Sequence, residues 1–184
     1  MNVLAISGSL RAASINSAFC RVAARLAPPP LQVTVFGGLG ELPLFNPDLE
    51  ADPPAPVQAF RAQVAQAQAL LIASPEYAHG ISGVLKNALD WLVSFEPTVG
   101  KPIALVNTSP RAHHADDALR EVLRTMSADI VDQASIPIQL LGACTTEEKM
   151  AASPDVCGAI RGVLEVIAAH LEGGAAAGPR FLLS

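Results

Sequence analysis

Apolar residues along the chain follow two alternating patterns. Short continuous apolar runs predict buried strands, and segments in which apolar residues recur every three or four positions predict amphipathic helices. The runs lie at residues 2–7, 31–36, 69–74, 102–107 and within 129–138. The helical segments lie at residues 15–26, 57–68, 81–95, 115–126 and 153–172. Strands that alternate in this way with helices predict an α/β protein.

The alternation also predicts how the strands are connected. Strands joined through helices run parallel, and the helices then cover both faces of the sheet. We therefore predict a doubly wound, three-layer α/β/α domain with a five-stranded sheet in the order 2-1-3-4-5. We expect a single domain over residues 1–184, in which Gly173 and Gly174 end the last helix and residues 173–184 form a flexible tail.

In this strand order a ligand crevice opens beyond the carboxyl ends of strands 1 and 3. Two polar loops meet there, GSLRAASINS at 8–17 and PEYAHG at 75–80. The first loop carries the hydroxyls of Ser9, Ser14 and Ser17, the amide of Asn16 and the guanidinium of Arg11. Together with the N–H groups at the start of the following helix, these donors predict a phosphate monoester site. The alternative, that Ser14 or Asn16 merely caps the helix, does not explain Ser9 and Arg11.

Composition narrows the classes of partner. The net charge is −5, and no block of lysine and arginine residues is present, so we expect neither a nucleic-acid partner nor attachment to an acidic membrane. No apolar run is long enough to cross a bilayer, and the first residues lack the pattern of a signal peptide. Cys20, Cys144 and Cys157 lack CxxC spacing, which favours free thiols and a cytoplasmic location.

Two other classes of phosphate-binding protein are disfavoured. The sequence has no G-x-x-x-x-G-K-[ST] motif, which argues against a P-loop NTPase. It also lacks G-x-G-x-x-G after the first strand and an acidic residue at the end of the second strand, which argues against a Rossmann dinucleotide site.

Two motifs in the right order resemble one known family. GSLRAASIN at 8–16 is similar to the G-S-x-R-x-x-S-x-N phosphate loop of the NADPH-dependent FMN reductases. SPEYAHGISGVLKNALDW at 74–91 resembles their second signature, and LPLFNPDLE at 42–50 resembles the segment after their second strand. The resemblance covers roughly residues 2–125 and implies a flavodoxin-like fold. The family includes quinone, chromate and azo-dye reductases.

The resemblance implies non-covalently bound FMN and NADPH or NADH as the reductant. A quinone or another small acceptor would be reduced by hydride transfer through flavin N5, in a homodimer or homotetramer. By position, Ser9, Arg11, Ser14 and Asn16 would hold the 5′-phosphate, with Ser17 beside them. Pro75, Glu76, Tyr77 and Ala78 would run along the isoalloxazine ring, and Ser109 would reach the ring or the ribityl chain. Electron carriers of the flavodoxin type and non-enzymatic flavin-binding proteins are the alternative classes.

This sequence departs from the family pattern at three places. Ala78 replaces an asparagine, Ser82 replaces a proline, and the loop at 108–114 lacks the family's glycines. On that loop we expect Arg111 and His113 to contact the NADPH phosphate. Adjacent histidines do not share a helix face, so a metal site at His113 and His114 is disfavoured. His79 is either a general acid for a quinone or an ordinary exposed loop histidine, and we predict no catalytic proton donor.

Overall fold

The sheet of the computed structural model has the predicted topology. The structure describes residues 1–109, 113–140, 142 and 144–177, with side chains as far as residue 174. In chain order the strands of these residues are β1 (Asn2–Ser7), β2 (Gln32–Val35), β3 (Ala69–Ala73), β4 (Glu76–Tyr77), β5 (Gly80–Ile81), β6 (Pro102–Leu105) and β7 (Asp129–Ile130). The main sheet has the order β2-β1-β3-β6-β7, and all of its neighbouring strands are parallel. This is the predicted order 2-1-3-4-5, because β4 and β5 form a separate antiparallel hairpin.

Helices connect the strands of the sheet and cover its two faces. They are α1 (Ile15–Leu26), α2 (Ala55–Gln66), α3 (Gly83–Asp90), α4 (His113–Thr125), α5 (Glu147–Ala151) and α6 (Pro154–Ala177). Local sequence explains several of the starts. The Ser14 hydroxyl accepts a hydrogen bond from the N–H of Ser17 at α1, and the Ser153 hydroxyl accepts one from Val156 at α6.

The core forms two clusters, one on each face of the sheet. Successive residues of a strand point to opposite faces. Val3 and Ala5 of β1 therefore pack in the cluster beneath α1 and α6, whereas Leu4 and Ile6 pack in the cluster beneath α2, α3 and α4. Every residue of β3 is buried and β3 lies in the middle of the sheet, so the prediction of a buried strand from this apolar run is confirmed.

Some predicted boundaries are wrong. The helix predicted at 57–68 spans 55–66, although Pro56 lies in its first turn as expected. The loop predicted at 75–80 contains the β4–β5 hairpin, and the fifth strand is only two residues long. The helix predicted to end at Gly173 and Gly174 continues to Ala177, because glycine costs only about 1 kcal/mol in a helix and alanines follow. The rest of the predicted tail lies outside the described residues.

Candidate functional site

A cleft opens at the carboxyl ends of β1, β3 and β6. It has a volume of about 220 Å³. The residues that line it come from the three loops that follow these strands: Ser9, Arg11, Ser14, Ile15, Asn16, Ser74, Pro75, Glu76, Tyr77, Thr108 and Ser109. The structure thus brings together eight of the ten residues predicted for the site. Ser17 and Ala78 do not line the cleft.

The first loop offers hydrogen-bond donors at one end of the cleft. Arg11 is exposed there, and its backbone N–H donates to the Ser9 hydroxyl at 3.3 Å. The N–H groups of Ile15 and Asn16 lie in the first turn of α1, where no intrahelical carbonyl is available to them. A guanidinium, hydroxyls and a helix N-terminus are the donors that a phosphate monoester requires.

Two polar side chains of the first loop connect it to neighbouring segments. Asn16 is buried, and its side-chain oxygen accepts a hydrogen bond from the Thr108 hydroxyl at 2.8 Å. The Ser17 and Ser7 hydroxyls are hydrogen bonded to each other at 2.8 Å. The Ser14 hydroxyl both caps α1 and lines the cleft, so the capping interpretation and the site interpretation apply to the same residue.

Gly8 brings the first loop close to the third strand. Its N–H donates to the carbonyl of Ala73 at 2.8 Å. A Cβ atom at this position would lie 2.6 Å from the Ser74 Oγ and 3.2 Å from a methyl group of Leu85. The two cleft loops can therefore approach this closely only because residue 8 has no side chain.

The second loop forms the β4–β5 hairpin at the other end of the cleft. Pro75 and Tyr77 line the cleft, and the Tyr77 side chain is more than half exposed. The two turn residues, Ala78 and His79, have φ values of +49° and +60°. A two-residue hairpin with positive φ at both turn positions normally contains asparagine, aspartate or glycine. The asparagine of the family pattern therefore lies at a turn, and Ala78 is exposed outside the cleft.

The Glu76 side chain joins the hairpin to α4. Its Oε2 accepts a hydrogen bond from the N–H of Ala115, in the first turn of α4, at 2.8 Å. Its Oε1 lies 3.5 Å from Nδ1 of His79. The His79 ring contacts the ring of His114 edge-on, with 4.4 Å between the ring centres. The sequence did not predict this use of Glu76, because the hydrogen bond joins residues 39 positions apart.

The third loop contributes Thr108 and Ser109. The side-chain oxygen of Asn107 accepts a hydrogen bond from the N–H of Ser109 at 2.9 Å, which turns the chain at the edge of the cleft. Of the two residues predicted to contact a nucleotide phosphate, Arg111 lies outside the described residues. His113 lines a neighbouring cavity of about 230 Å³ between α4 and residues 135–137.

Residues of the second signature also hold the segment after the second strand. The Asn87 amide donates to the carbonyl of Pro43 at 2.9 Å and accepts from the N–H of Phe45 at 2.8 Å. Trp91 is fully buried, and its indole N–H donates to the same Pro43 carbonyl at 2.8 Å. Ser82, which replaces the family's proline, caps α3 by accepting from the N–H of Leu85 at 3.4 Å. These contacts are structural, and Trp91 belongs to the core.

Perturbed ionisable groups lie away from the cleft. Burial raises the pKa of the Cys20 thiol to about 12, and burial lowers the pKa of the Lys101 amine. Burial also acts to lower the pKa of Arg120, but its ion pairs with Asp116 and Asp132 raise it overall. None of the five residues named here lines the cleft. Among the described residues that do line it, the charged ones are Arg11 and Glu76.

Within the described residues, no group of three or more histidine, cysteine, aspartate or glutamate side chains is arranged to hold a metal ion. In the same part of the chain, no helix combines the length and apolar character needed to cross a membrane.

A five-stranded parallel sheet in this order, with a cleft where the chain leaves β1 and β3 in opposite directions, defines a flavodoxin-like α/β protein. The sequence profile of the NADPH-dependent FMN reductases matches residues 1–140. The chain belongs to this family.

Several relatives with recorded names are similar to the chain. An NAD(P)H-dependent FMN reductase of Pseudomonas aeruginosa is 44% identical over 113 residues, which cover 59% of this chain and 60% of the relative. A quinone reductase of Escherichia coli is 35% identical over 113 residues, with the same shares of each chain. A 2-hydroxy-1,4-benzoquinone reductase of a Burkholderia species is 40% identical over 112 residues, 59% of this chain and 61% of the relative. The match thus spans about three fifths of the first two relatives' length.

The solved structure of a flavoenzyme NAD(P)H:(acceptor) oxidoreductase from Paracoccus denitrificans superimposes with a TM-score of 0.73. It is 27% identical, and the superposition covers 92% of this chain and 98% of that one.

The residues of the cleft fit the FMN of the family. The donors around Arg11 suit a phosphate, and the absence of a side chain at Gly8 lets the first two cleft loops lie side by side. At the other end, Pro75 and Tyr77 present apolar surface to a flat ring, flanked by the backbone of the hairpin. One end of the cleft is therefore suited to the phosphate of FMN and the other end to its ring.

Proposed function

We propose that the protein is an NAD(P)H-dependent FMN oxidoreductase that reduces quinones or similar small acceptors. The observation that carries the proposal is the single cleft that combines the phosphate donors of the first loop with the apolar wall of the hairpin. When bound in this cleft, FMN would supply two-electron redox chemistry at N5, which would couple the oxidation of NADPH or NADH to the reduction of the acceptor.

In this proposal the chain's own residues bind FMN and orient its ring. Ser9, Arg11, Ser14 and Asn16 hold the phosphate, with Ser17 supporting the loop through Ser7. Ordered donors around a dianion fix the position of the ring at the other end of the molecule, and hydride transfer depends on such alignment.

The hairpin and the third loop form the walls around the ring. Pro75, Glu76 and Tyr77 line the cleft and would face the ring edge, and Ser109 would approach from the third loop. Ala78 lies outside the cleft and would act only through the shape of the hairpin turn. Tyr77 lines the cleft with a largely exposed side chain, which would cover one side of the ring. No residue is assigned as a proton donor, because alignment rather than acid catalysis governs the hydride step.

We further propose an acceptor class, a location and an assembly for the protein. The acceptor is quinone-like, because a quinone reductase and a benzoquinone reductase are among the relatives. The protein works in the cytoplasm as a homodimer or homotetramer, as implied by the resemblance to its family. It forms one domain over residues 1–184.

The test is the visible spectrum of the purified protein, reconstituted with FMN and mixed anaerobically with NADPH or NADH. We expect flavin bands that bleach on mixing and return when a benzoquinone is added. A bound flavin that stays oxidised would support the electron-carrier alternative. A protein that binds no FMN at micromolar concentration would contradict the proposal.

A further inference from the structure

We propose that the Glu76 carboxylate is a positioning residue, which holds the β4–β5 hairpin against α4 and thereby sets the gap that receives the flavin ring. The inference rests on the proposed function for the ligand, but its structural basis is a set of contacts in the protein alone. The resemblance to the family places residue 76 along the flavin ring but assigns no function to its carboxylate.

The hairpin turn needs an external contact to keep its shape. Ala78 and His79 both adopt positive φ, which side-chain-bearing residues rarely do. The favoured residues for this turn are asparagine and glycine, and neither occupies it here. With only two residues in each strand, the hairpin has few hydrogen bonds of its own.

Glu76 supplies that contact at the base of the hairpin. Its side chain is only 13% exposed, and one oxygen accepts the Ala115 N–H at 2.8 Å. A carboxylate at a helix N-terminus interacts favourably with the helix dipole as well as with the N–H group. The second oxygen lies 3.5 Å from the His79 ring, so the same carboxylate contacts both the turn and the helix.

The His79 ring extends the contact to the residue that precedes Ala115 in α4. It meets His114 edge-on, and His114 in turn packs against His113 with 4.0 Å between ring centres. The hairpin is thus held to α4 at a hydrogen bond and at a ring contact. Because Glu76 and Tyr77 line the cleft, a shift of the hairpin would move the wall that they form, whereas the phosphate donors belong to the first loop.

The experiment compares Glu76→Ala and Glu76→Gln by the dissociation constants of FMN and of riboflavin, measured by quenching of flavin fluorescence. Glu76→Ala is expected to weaken both ligands by about tenfold, because a hydrogen bond to a charged group is lost from the ring end. Glu76→Gln keeps an oxygen that can accept the Ala115 N–H and should stay within about threefold of the parent protein.

Ser153→Ala is the matched control. It also removes a side-chain acceptor from the first turn of a helix, but at α6, and Ser153 does not line the cleft. It should lower the melting temperature and leave both dissociation constants unchanged. A merely structural role for Glu76 predicts that Glu76→Ala behaves in the same way, and that result would overturn the proposal. A loss confined to FMN, or an equal loss in Glu76→Gln, would also overturn it.

Hydrogen exchange of the flavin-free protein separates this proposal from the proposed function. Amides of residues 76–82 and 113–118 should exchange faster in Glu76→Ala than in the parent protein and in Ser153→Ala. Unchanged exchange overturns the positioning role even if FMN binds. Faster exchange in a protein that binds neither flavin supports the hairpin contact and contradicts the flavin assignment instead.

Discussion

Arg11 and Ser14 lie in the same loop but differ in what their polar groups contact. The Ser14 hydroxyl accepts from a backbone N–H of α1, whereas the Arg11 side chain is exposed at the cleft. An arginine can donate to two phosphate oxygens at once. At the scale of single residues, Arg11 is therefore expected to discriminate most strongly between flavins with and without phosphate.

We predict that Arg11→Ala raises the dissociation constant of FMN by about 10- to 100-fold, the loss expected for hydrogen bonds to a charged group. Riboflavin, which has no phosphate, should bind as before. Fluorescence titration of both ligands measures the difference. Arg161→Ala, an exposed arginine on α6, is the control and should change neither. Equal weakening of both flavins would contradict a phosphate contact.

Cysteine reactivity is a second property that single residues decide. Cys20 is fully buried, and burial raises the pKa of its thiol from 9.0 to about 12. Cys144 is half-buried. At pH 8 an alkylating reagent should therefore modify Cys144 in the native protein and reach Cys20 only after denaturation. Peptide mass analysis distinguishes the two sites, and rapid native labelling of Cys20 would contradict its burial.

The same shift fixes the direction of one contribution to stability. In the unfolded chain the Cys20 thiol ionises near pH 9, whereas in the folded protein it stays neutral until about pH 12. Burial of the neutral thiol therefore makes its full contribution to the free energy of unfolding below pH 9. Between pH 9 and about pH 12 the free energy of unfolding decreases by up to about 1.4 kcal/mol per pH unit, because only the unfolded chain has lost the proton.

At the scale of elements, the segment after β2 depends on α3. Asn87 donates to and accepts from backbone groups of this segment, at Pro43 and Phe45. We predict that Asn87→Ala lowers the free energy of unfolding by about 1–3 kcal/mol, because two backbone groups lose their partner. Chemical denaturation measures the change.

Lys86→Ala provides the comparison for Asn87→Ala. Lys86 is adjacent on α3 and forms an ion pair with Asp90 one turn away. Pairs of this kind contribute about 0.3–0.5 kcal/mol, so this variant should be nearly as stable as the parent protein. If both variants lose the same stability, the contact between α3 and residues 43–45 does not support the segment.

The sequence predicts fully buried strands better than it predicts the short, half-exposed hairpin or the end of the last helix. Strands such as β3 were predicted because burial on both faces leaves a continuous apolar run. The β4–β5 hairpin was missed because it is short, half-exposed and lacks the usual turn residues. The end of α6 was misplaced because glycine lowers helix stability without ending a helix.

At the scale of the whole molecule, the sequence predicted the cleft but not the contacts that support it. The order of the strands follows from their alternation with helices, and it brings the loops after β1 and β3 together. The hydrogen bonds from the Ala115 N–H to Glu76 and from the Phe45 N–H to Asn87 join residues about 40 positions apart and depend on the paths of the loops. The residue types in the sequence do not indicate which distant backbone group each side chain contacts.

Binding of FMN should stabilise the whole fold. A ligand at 100 times its dissociation constant adds about 2.7 kcal/mol to the free energy of unfolding. For a chain of this length we predict a rise in melting temperature of about 5–10 °C, measured by circular dichroism at 222 nm. Arg11→Ala at the same FMN concentration should show a smaller rise. An unchanged melting temperature in saturating FMN would mean that the cleft does not bind it.

The exposed residues of the hairpin lie outside both core clusters, so they can be substituted without disturbing the core. The clusters lie on the faces of the sheet, whereas Tyr77, Ala78 and His79 are exposed on a hairpin beyond its edge. Substitutions at these three positions remove almost no buried apolar surface. Of the three, Tyr77 takes no part in the turn at Ala78 and His79 or in the contact of His79 with His114. A library that randomises Tyr77 can therefore sample new ligands in directed evolution while the scaffold keeps its thermal tolerance.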